Sequence, residues 1–223
     1  MNHQESDERM DDTEVLDGES SVQEWSDAVA AASATPAGGA VAALASALAA
    51  ALVVMVAGLT TRREKYAAVH QYAQEILERA DRVRGELLDL ARHDAIVIAE
   101  YMDALTLPQG TEFERTARDA ARRAALMEAA LVQLELLALA SEVTSLAEAM
   151  VGSGVATAIG DAATASFIAA ATSRSAYWSI RSNLRLVARP DETRHLVESA
   201  VVTLDRVEAA EIRVRQVLDE RVG

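Results

Sequence analysis

One stretch constrains the fold of this chain more than any other, an apolar run of small residues from Thr35 to Thr60. It opens with Thr-Pro-Ala-Gly-Gly, and no charged residue follows until Arg62. A helix that is apolar on all sides is typical of the centre of a helical protein or of a membrane span. Alanine contributes little transfer free energy, and the segment before the run is acidic instead of basic. We therefore expect a buried central helix, and neither a membrane span nor a secretory signal.

The turn that opens this run has a second property. The first backbone N–H groups of a helix have no partner inside the helix, so they bind anions well. Glycine also lets another group come close to the main chain. Gly38 and Gly39 therefore mark a candidate binding site at the start of the central helix.

Composition limits what can surround that helix. The chain has 223 residues, of which 51% are hydrophobic and only 4% aromatic, so the core must be built from alanine, leucine, valine and isoleucine. Three prolines and ten glycines favour long helices with few turns. No alternating strand pattern of useful length occurs. The predicted fold class is all-α, a bundle of long antiparallel helices.

We divide the chain into a disordered acidic leader at residues 1–20 and a single helical domain at residues 21–223. Helices are predicted at Ser21–Ser33, Thr35–Thr60, Tyr66–Leu105, from Thr111 to about Met150 with a break near Leu131–Gln133, at Thr157–Val187, and from Pro190 to the C-terminus. The second and fifth of these lack a bulky polar face. We expect a second copy of the chain to cover part of them in a homodimer.

Charge and composition exclude several classes of function. A net charge of −14 disfavours nucleic acid as a partner. The absence of cysteine excludes disulfides and thiolate metal sites and fits a reducing, cytoplasmic location. The four histidines are not paired at ligand spacing, and Glu192-x-x-His195 is half of a di-iron motif without its second copy. We predict no metal and no membrane partner.

Isolated polar residues at the margins of the apolar helices are the stronger candidates for chemistry. They are Asp27, Lys65, Asp94, Asp161, Arg181 and Asn183. Asp94 precedes the run Ala-Ile-Val-Ile-Ala, so its carboxylate is expected to be buried and to need a partner or a role. For Asp27, a solvated carboxylate is an equal alternative. Together these positions predict the rim of one shared pocket.

The residues around the glycine turn resemble a known family. The string from Ser33 to Leu44, SATPAGGAVAAL, is similar to the S-x-T-P-G-G-G-S-V-A-A-L signature of the formiminotetrahydrofolate cyclodeaminase / methenyltetrahydrofolate cyclohydrolase family. The resemblance covers about residues 22–222. It continues at Gly58-Leu59-Thr60, Lys65-Tyr66, Asp94-Ala95, Met102, Leu107-Pro108, Asp161-Ala162 and Ile180-Arg181-Ser182-Asn183-Leu184.

The chain departs from the family pattern at several positions. The first glycine of the usual triplet is Ala37, and the serine after the triplet is Ala40. An alanine fits this turn only if its φ angle is negative. Val155, Thr157 and Gly160 stand where the family often has asparagines and a serine. These differences remove hydrogen-bonding groups from the implied pocket, so a changed substrate preference or a loss of activity is one alternative.

The resemblance implies an all-helical dimer that binds a folate between helices without a metal or redox cofactor. It implies one of two reactions at the folate N5 and N10 atoms. A cyclohydrolase converts 5,10-methenyl-tetrahydrofolate and water to 10-formyl-tetrahydrofolate, and a cyclodeaminase closes 5-formimino-tetrahydrofolate with loss of ammonia. We predict the cyclohydrolase, because the chain shows no formiminotransferase domain and hydrolysis needs none. A non-catalytic helical dimer or folate-binding module is the remaining alternative.

The resemblance also implies roles for individual residues. Asp94 and Asp161 are expected to divide the roles of general base and pterin binding, in an order that the sequence leaves open. Lys65 is expected to donate a proton to the departing nitrogen or to hold the tetrahedral oxygen. Arg181 and the Gly38-Gly39 turn suit a carboxylated tail. The expected substrate-binding set is Asp27, Thr35, Pro36, Gly38, Gly39, Arg181 and Asn183.

Overall fold

The computed structural model describes residues 20–222, which fold into six α-helices. They are α1 (Val22–Ala30), α2 (Gly38–Thr61), α3 (His70–Thr106), α4 (Glu112–Ser153), α5 (Ile159–Val187) and α6 (Pro190–Val222), with 3-10 turns at Glu64–Val69 and Ala156–Ala158. The described residues contain no strand, and the all-α class is confirmed. The predicted leader lies outside the described residues apart from Ser20.

Capping boxes fix where α1 and α4 begin. The Ser21 hydroxyl accepts a hydrogen bond from the Glu24 N–H, and the Glu24 carboxylate accepts one from the Ser21 N–H. Thr111 and Glu114 repeat this arrangement at the start of α4, the helix that the sequence predicts from Thr111. α1 ends at Ala30, before the predicted end at Ser33, because Ala31 has an extended conformation.

The predicted break in α4 near Leu131–Gln133 is wrong. The helix continues without interruption from Glu112 to Ser153. Gln133 is only 3% exposed, and its amide donates a hydrogen bond to Asp94 on α3. The polar residue in this apolar run therefore marks a buried contact between helices and not a helix end.

Contacts along α2 set the direction of its neighbours. A side-chain methyl of Leu77 on α3 faces Gly58, near the end of α2, and Asp94 further along α3 contacts Ala40 at the beginning of α2. On the other side, the Ser46 and Thr172 hydroxyls are 2.7 Å apart, and Val155, just before α5, donates a hydrogen bond to Thr60 at the end of α2. α3 and α5 therefore both run antiparallel to α2, as predicted.

The inner side of α2 forms the centre of the bundle. Ala43, Ala49, Ala50 and Val53 have no exposed surface, and their small side chains allow neighbouring helices to approach closely. By length and composition, α2 and α4 could each cross a membrane, and 56% of the most apolar window of each is buried inside the protein. Such burial is what a central position in a helical bundle requires.

One apolar side of α2 remains exposed. Val41, Leu48 and Met55 recur every second helical turn and are 39%, 59% and 41% exposed. On the adjacent helix α5, Ala171 and Trp178 are also exposed. We call this surface the outer face of α2 and α5.

The two tryptophans lie in contrasting surroundings. Trp25 is the only residue of α1 that is buried, and it joins the hydrophobic core. Trp178 on α5 is 63% exposed, with the Arg181 guanidinium carbon 5.1 Å from its ring centroid. α1 therefore inserts one large side chain into the core, whereas Trp178 lies at the surface.

Candidate functional site

Asp94 holds a buried carboxyl group at the start of α2. The residue is only 4% exposed. Its Oδ2 atom accepts a hydrogen bond of 2.8 Å from the Ala40 backbone N–H. Its Oδ1 atom accepts one of 2.7 Å from Gln133 Nε2. Three helices, α2, α3 and α4, thus meet at one carboxyl group.

Gly39 makes this meeting sterically possible. A Cβ atom placed on Gly39 would overlap Gln133 Nε2 and Asp94 Oδ1 and lie 2.6 Å from Asp94 Cγ. A Cβ atom placed on Gly38 would meet nothing within 4 Å. None of the described glycines has a positive φ, and Ala37 has a φ of −100°. Gly39 is therefore needed for the close approach of Asp94 and Gln133 to α2. The negative φ angle of Ala37 is the one that an alanine requires in this turn.

The surroundings of Asp94 act on its proton affinity in opposite directions. Burial raises the pKa of Asp94 above the usual value of an aspartate, and this is the largest effect. The hydrogen bonds from Gln133 and Ala40 and the charge of His93 lower it. A buried carboxyl group with a raised pKa is suited to general base catalysis.

The anion site predicted at the start of α2 is partly filled from within the chain. The Ala40 N–H already donates to Asp94 and is not free for a ligand carboxylate. Thr35 and Pro36, joined by a cis peptide bond, lie half-buried in the turn before it. Gly38 is exposed. The substrate-binding roles of these turn residues stay predictions.

Arg181 and Asn183 lie at the same end of α2 as Asp94. The Ser46–Thr172 contact fixes the register of α2 and α5, and both Gly38 and Arg181 lie about two turns from it in the same direction. Arg181 is exposed and stacks over Trp178. Asn183 is half-buried beside it.

A cationic groove of about 430 Å³ lies where α5 meets α6. The four arginines that line it are Arg181, Arg185, Arg189 and Arg194. Glu192 pairs with Arg189 at 2.8 Å, and Asp191 pairs with Arg194 at 3.0 Å. Arg181 and Arg185 have no acidic partner among the described residues, so they keep their charge available for an anion.

Lys65 and Asp161 lie at the opposite end of α2. The Thr60 hydroxyl accepts a 3.0 Å hydrogen bond from the Val155 N–H, so the start of α5 lies beside the end of α2. Asp161 is in the first turn of α5 and Lys65 is in the turn after α2. Both are exposed, and neither forms an ion pair within residues 20–222.

The two ends of α2 are about 30 Å apart, because Ala40 and Thr60 are separated by more than five helical turns. Asp94, Gly39 and Arg181 belong to one end, and Lys65 and Asp161 belong to the other. One chain therefore does not gather the predicted catalytic residues. The expectation of a single shared pocket is wrong for one copy of the chain.

Asp27 is the predicted residue with the simplest surroundings. It is exposed on α1, and both of its carboxylate oxygens accept hydrogen bonds from Gln23 Nε2, at 2.8 and 2.9 Å. These contacts fit the alternative of a solvated surface carboxylate.

Gln133 is the residue of this site that sequence reasoning missed. The sequence does contain a signal, because Gln133 is a polar residue within the apolar run Ala-Ala-Leu-Val-Gln-Leu. Taken alone, such a residue predicts a helix break. Its partner Asp94 lies 39 positions away, so no local pattern connects the two residues.

No group of three or more histidine or acidic side chains that could hold a metal occurs within residues 20–222. The prediction of no metal stays a prediction, as does the prediction of no redox cofactor.

Comparison with known proteins gives two matches. A family model described as formiminotransferase-cyclodeaminase matches residues 21–201. A crystal structure of formiminotetrahydrofolate cyclodeaminase from Thermotoga maritima is similar to this fold with a TM-score of 0.83. The two sequences are 25% identical, and the similarity covers 92% of this chain and 98% of the other. A comparison with curated proteins gave no match.

Proposed function

Because the chain belongs to the formiminotransferase-cyclodeaminase family, as the resemblance of its glycine turn predicted, we propose that it is an enzyme that hydrolyses 5,10-methenyl-tetrahydrofolate to 10-formyl-tetrahydrofolate. The observation that carries this proposal is the buried Asp94 carboxyl group, held by Ala40 and Gln133 at the start of α2. The family supports folate-related chemistry, and the surroundings of Asp94 support a base.

Asp94 supplies what the hydrolysis needs. The one-carbon bridge of the substrate is an amidinium cation, which a nearby carboxylate stabilises. Water attacks the bridging carbon between N5 and N10, and Asp94 takes a proton from that water. The hydroxyl of the resulting tetrahedral intermediate loses its proton as the bond between the carbon and N5 breaks, N5 receives a proton, and the formyl group stays on N10. One proton is released overall.

The surroundings of the two aspartates support different roles. Asp94 is buried and its carboxyl group is fixed by two donors, so we assign it the role of general base. Asp161 is exposed in the first turn of α5. An exposed carboxylate can accept two parallel hydrogen bonds from the amide N–H and amino group of a pterin ring, so we assign it pterin binding.

We propose that two copies of the chain complete the site together. The outer face of α2 and α5 carries exposed apolar side chains along its length, and such a surface needs a cover. A two-fold axis across this face sets the helices of the two copies antiparallel. Lys65 and Asp161 of one copy then lie beside Asp94 of the other, which removes the separation of about 30 Å within one chain.

The arginine groove suits the carboxylated tail of the substrate. It lies at the Asp94 end of the bundle, and its two unpaired arginines, Arg181 and Arg185, are exposed. An arginine guanidinium matches a carboxylate with two parallel hydrogen bonds. We therefore assign the tail to this groove instead of to the N–H groups of α2, because the Ala40 N–H is already occupied.

The cyclodeaminase reaction is the second candidate, because the similar crystal structure is that of a formiminotetrahydrofolate cyclodeaminase. Loss of ammonia requires a proton donor for the departing nitrogen, and the candidate for that role is Lys65. The cyclohydrolase ranks first because Asp94 alone provides its base and its counter-charge. A non-catalytic folate-binding dimer is the third candidate, and the loss of polar groups at Ala40 and Val155 is the observation that favours it.

Two assays separate these candidates. The decay of methenyl-tetrahydrofolate absorbance measures the cyclohydrolase, and ammonia release from formimino-tetrahydrofolate measures the cyclodeaminase. We expect Asp94→Asn to abolish the first activity, while Asp103→Asn, an exposed aspartate on the same helix, leaves it unchanged. Full activity in Asp94→Asn would eliminate the enzymatic proposals that depend on this base.

Mixing two variants, each impaired in a different part of the site, tests whether the site is shared when activity is assayed well below the wild-type KM. If each site takes Asp94 from one copy and Lys65 with Asp161 from the other, a heterodimer of Asp94→Asn with a Lys65→Ala/Asp161→Asn variant contains one intact site. Random mixing then restores about one quarter of the wild-type activity. A mixture no more active than the average of the two separate variants, although sedimentation shows that subunits exchange, would place the whole site in one chain.

A further inference from the structure

The Gln133 amide is buried with fewer hydrogen bonds than it can form. Its Nε2 atom donates one bond, to Asp94 Oδ1, and its Oε1 atom is buried without a partner in the described part of the chain. An unpaired buried acceptor lowers the stability of the fold. Methionine has a similar volume and would place no unpaired polar atom in this buried position. Packing alone therefore does not explain a glutamine here.

We propose that Gln133 is a positioning residue that acts through Asp94, fixing the orientation of its carboxyl group and remaining its hydrogen-bond partner when the proton moves. The catalytic consequence rests on the proposed function, whereas the contact between the two side chains does not. The family resemblance of the sequence assigned no role to Gln133.

The orientation follows from two donors on two different helices. The Ala40 N–H on α2 holds Oδ2, and Gln133 Nε2 on α4 holds Oδ1. With Ala40 alone, the carboxyl group would keep its freedom to rotate about the Cβ–Cγ bond. With both donors its plane is fixed, which is the pre-organisation that a general base requires.

The amide is able to serve both protonation states of Asp94. Its N–H group donates to the ionised carboxylate. After a half-turn of the amide, Oε1 occupies the same position and accepts the proton of the neutral acid. One amide atom lacks a partner in either orientation, so the half-turn exchanges one unpaired buried group for another. The carboxyl group can therefore gain and lose a proton without losing its neighbour, while the N–H contact seen here favours the ionised form.

Besides the contact from the neutral Gln133 side chain, few charged groups influence the Asp94 carboxyl group. The beginning of α2 contributes Gly38, Gly39 and Ala40, which carry no charge. On α3, His93 acts on the carboxyl group, and burial raises the pKa of Asp94. On α4, Glu135 lines a surface groove together with Glu86, Asp89, Arg92 and His93. Gln133 is thus the polar side chain in direct contact with the carboxyl group.

The test is a ¹³C NMR titration of the Asp94 carboxyl group in the protein without ligand. We compare wild type with Gln133→Met, which keeps the volume and removes both hydrogen-bonding atoms, and with Gln133→Glu, which keeps the shape. We expect the midpoint to rise in Gln133→Met, because the donor to the ionised form is lost. It rises further in Gln133→Glu, where two carboxyl groups share one proton. Gln74→Met is the matched control, since Gln74 donates to Glu78 at 2.9 Å on the surface of α3.

The same variants are then assayed for turnover. Gln133→Met should lower kcat by about tenfold or more through misplacement of the base, and its acidic limb in the pH–rate profile should move in the same direction as the NMR midpoint. KM should change much less. Unchanged Asp94 midpoints in folded Gln133→Met and Gln133→Glu proteins would overturn the inference. Shifted midpoints in a protein whose wild type has no folate activity would overturn the proposed function and leave the positioning role intact.

Discussion

The two ends of α2 carry acidic residues in opposite surroundings. At the beginning of the helix, Asp94 is buried and both of its oxygens are hydrogen-bonded by groups from other helices. At its end, Asp161 is exposed and forms no ion pair among the described residues. The backbone at this second end is instead tied together by Thr60 and Tyr66, which accept hydrogen bonds from Val155 and Ala156.

This difference shows what burial adds to an aspartate. The same side chain gives a buried carboxyl group with a raised pKa at one end and an exposed carboxyl group at the other. The first is suited to proton transfer, and the second is suited to binding a polar group that arrives from solvent. The comparison therefore predicts that the two ends respond differently to equivalent changes.

The largest expected effect separates the two aspartates by turnover. Asp94→Asn should lower kcat for methenyl-tetrahydrofolate by about 10²–10⁴-fold, because the general base is lost. Asp161→Asn should act mainly on KM, since an exposed binding group contributes to the ground state as well as the transition state. Steady-state kinetics of both variants measure this difference. Equal losses of kcat would mean that burial does not distinguish the two roles.

The two glycines at the beginning of α2 provide a matched pair. Gly39→Ala should lower the free energy of unfolding by about 1–3 kcal/mol, because its Cβ atom displaces Asp94 and Gln133. Gly38→Ala should change it by no more than about 0.5 kcal/mol, since nothing lies near that position. Urea denaturation gives both values. Similar values for the two variants would contradict the close approach at Gly39.

At the other end of α2, Thr60→Val removes a hydrogen bond without touching Asp94. Thr60 has no exposed surface, and its hydroxyl accepts from the Val155 N–H. The unpaired N–H should lower the free energy of unfolding by about 1–2 kcal/mol. The Asp94 titration should stay at its wild-type midpoint. A shifted midpoint would show that the two ends are coupled and not independent.

The subtlest prediction concerns pH. Because burial raises the pKa of Asp94 in the folded state, its protonated form is favoured there. The stability that this provides is complete below the unfolded-state pKa of about 3.9 and is lost as pH rises through the folded-state pKa. Asparagine does not titrate in this range. The free energy of unfolding of wild type minus that of Asp94→Asn should therefore fall with increasing pH, and a flat or rising difference would contradict the burial argument.

Local sequence patterns predicted most of the helices. The predicted helices at Tyr66–Leu105 and from Thr111 overlap α3 and α4 over most of their length, and the small residues after Gly38 marked α2 as central. The apolar residues after Asp94 predicted its burial. The roles of Lys65, Arg181 and the other proposed site residues stay predictions.

Local patterns did not predict contacts between residues that are far apart in the sequence. Gln133 was missed because its contact with Asp94 depends on how α3 and α4 pack against each other. The separation of Lys65 and Asp161 from Asp94 follows from the length of α2 and the antiparallel register of its neighbours. Sequence spacing alone does not reveal which end of the bundle each residue occupies.

The contrast between Trp25 and Trp178 gives the protein two built-in optical reporters. The chain contains only these two tryptophans. Since Trp25 is buried and Trp178 is exposed, their fluorescence maxima should differ, with that of Trp178 at longer wavelength. A Trp25→Phe variant would isolate the signal beside Arg181, where an occupied groove or an approaching second copy changes the emission. A Trp178→Phe variant would isolate the signal of α1 and report whether that short helix stays docked.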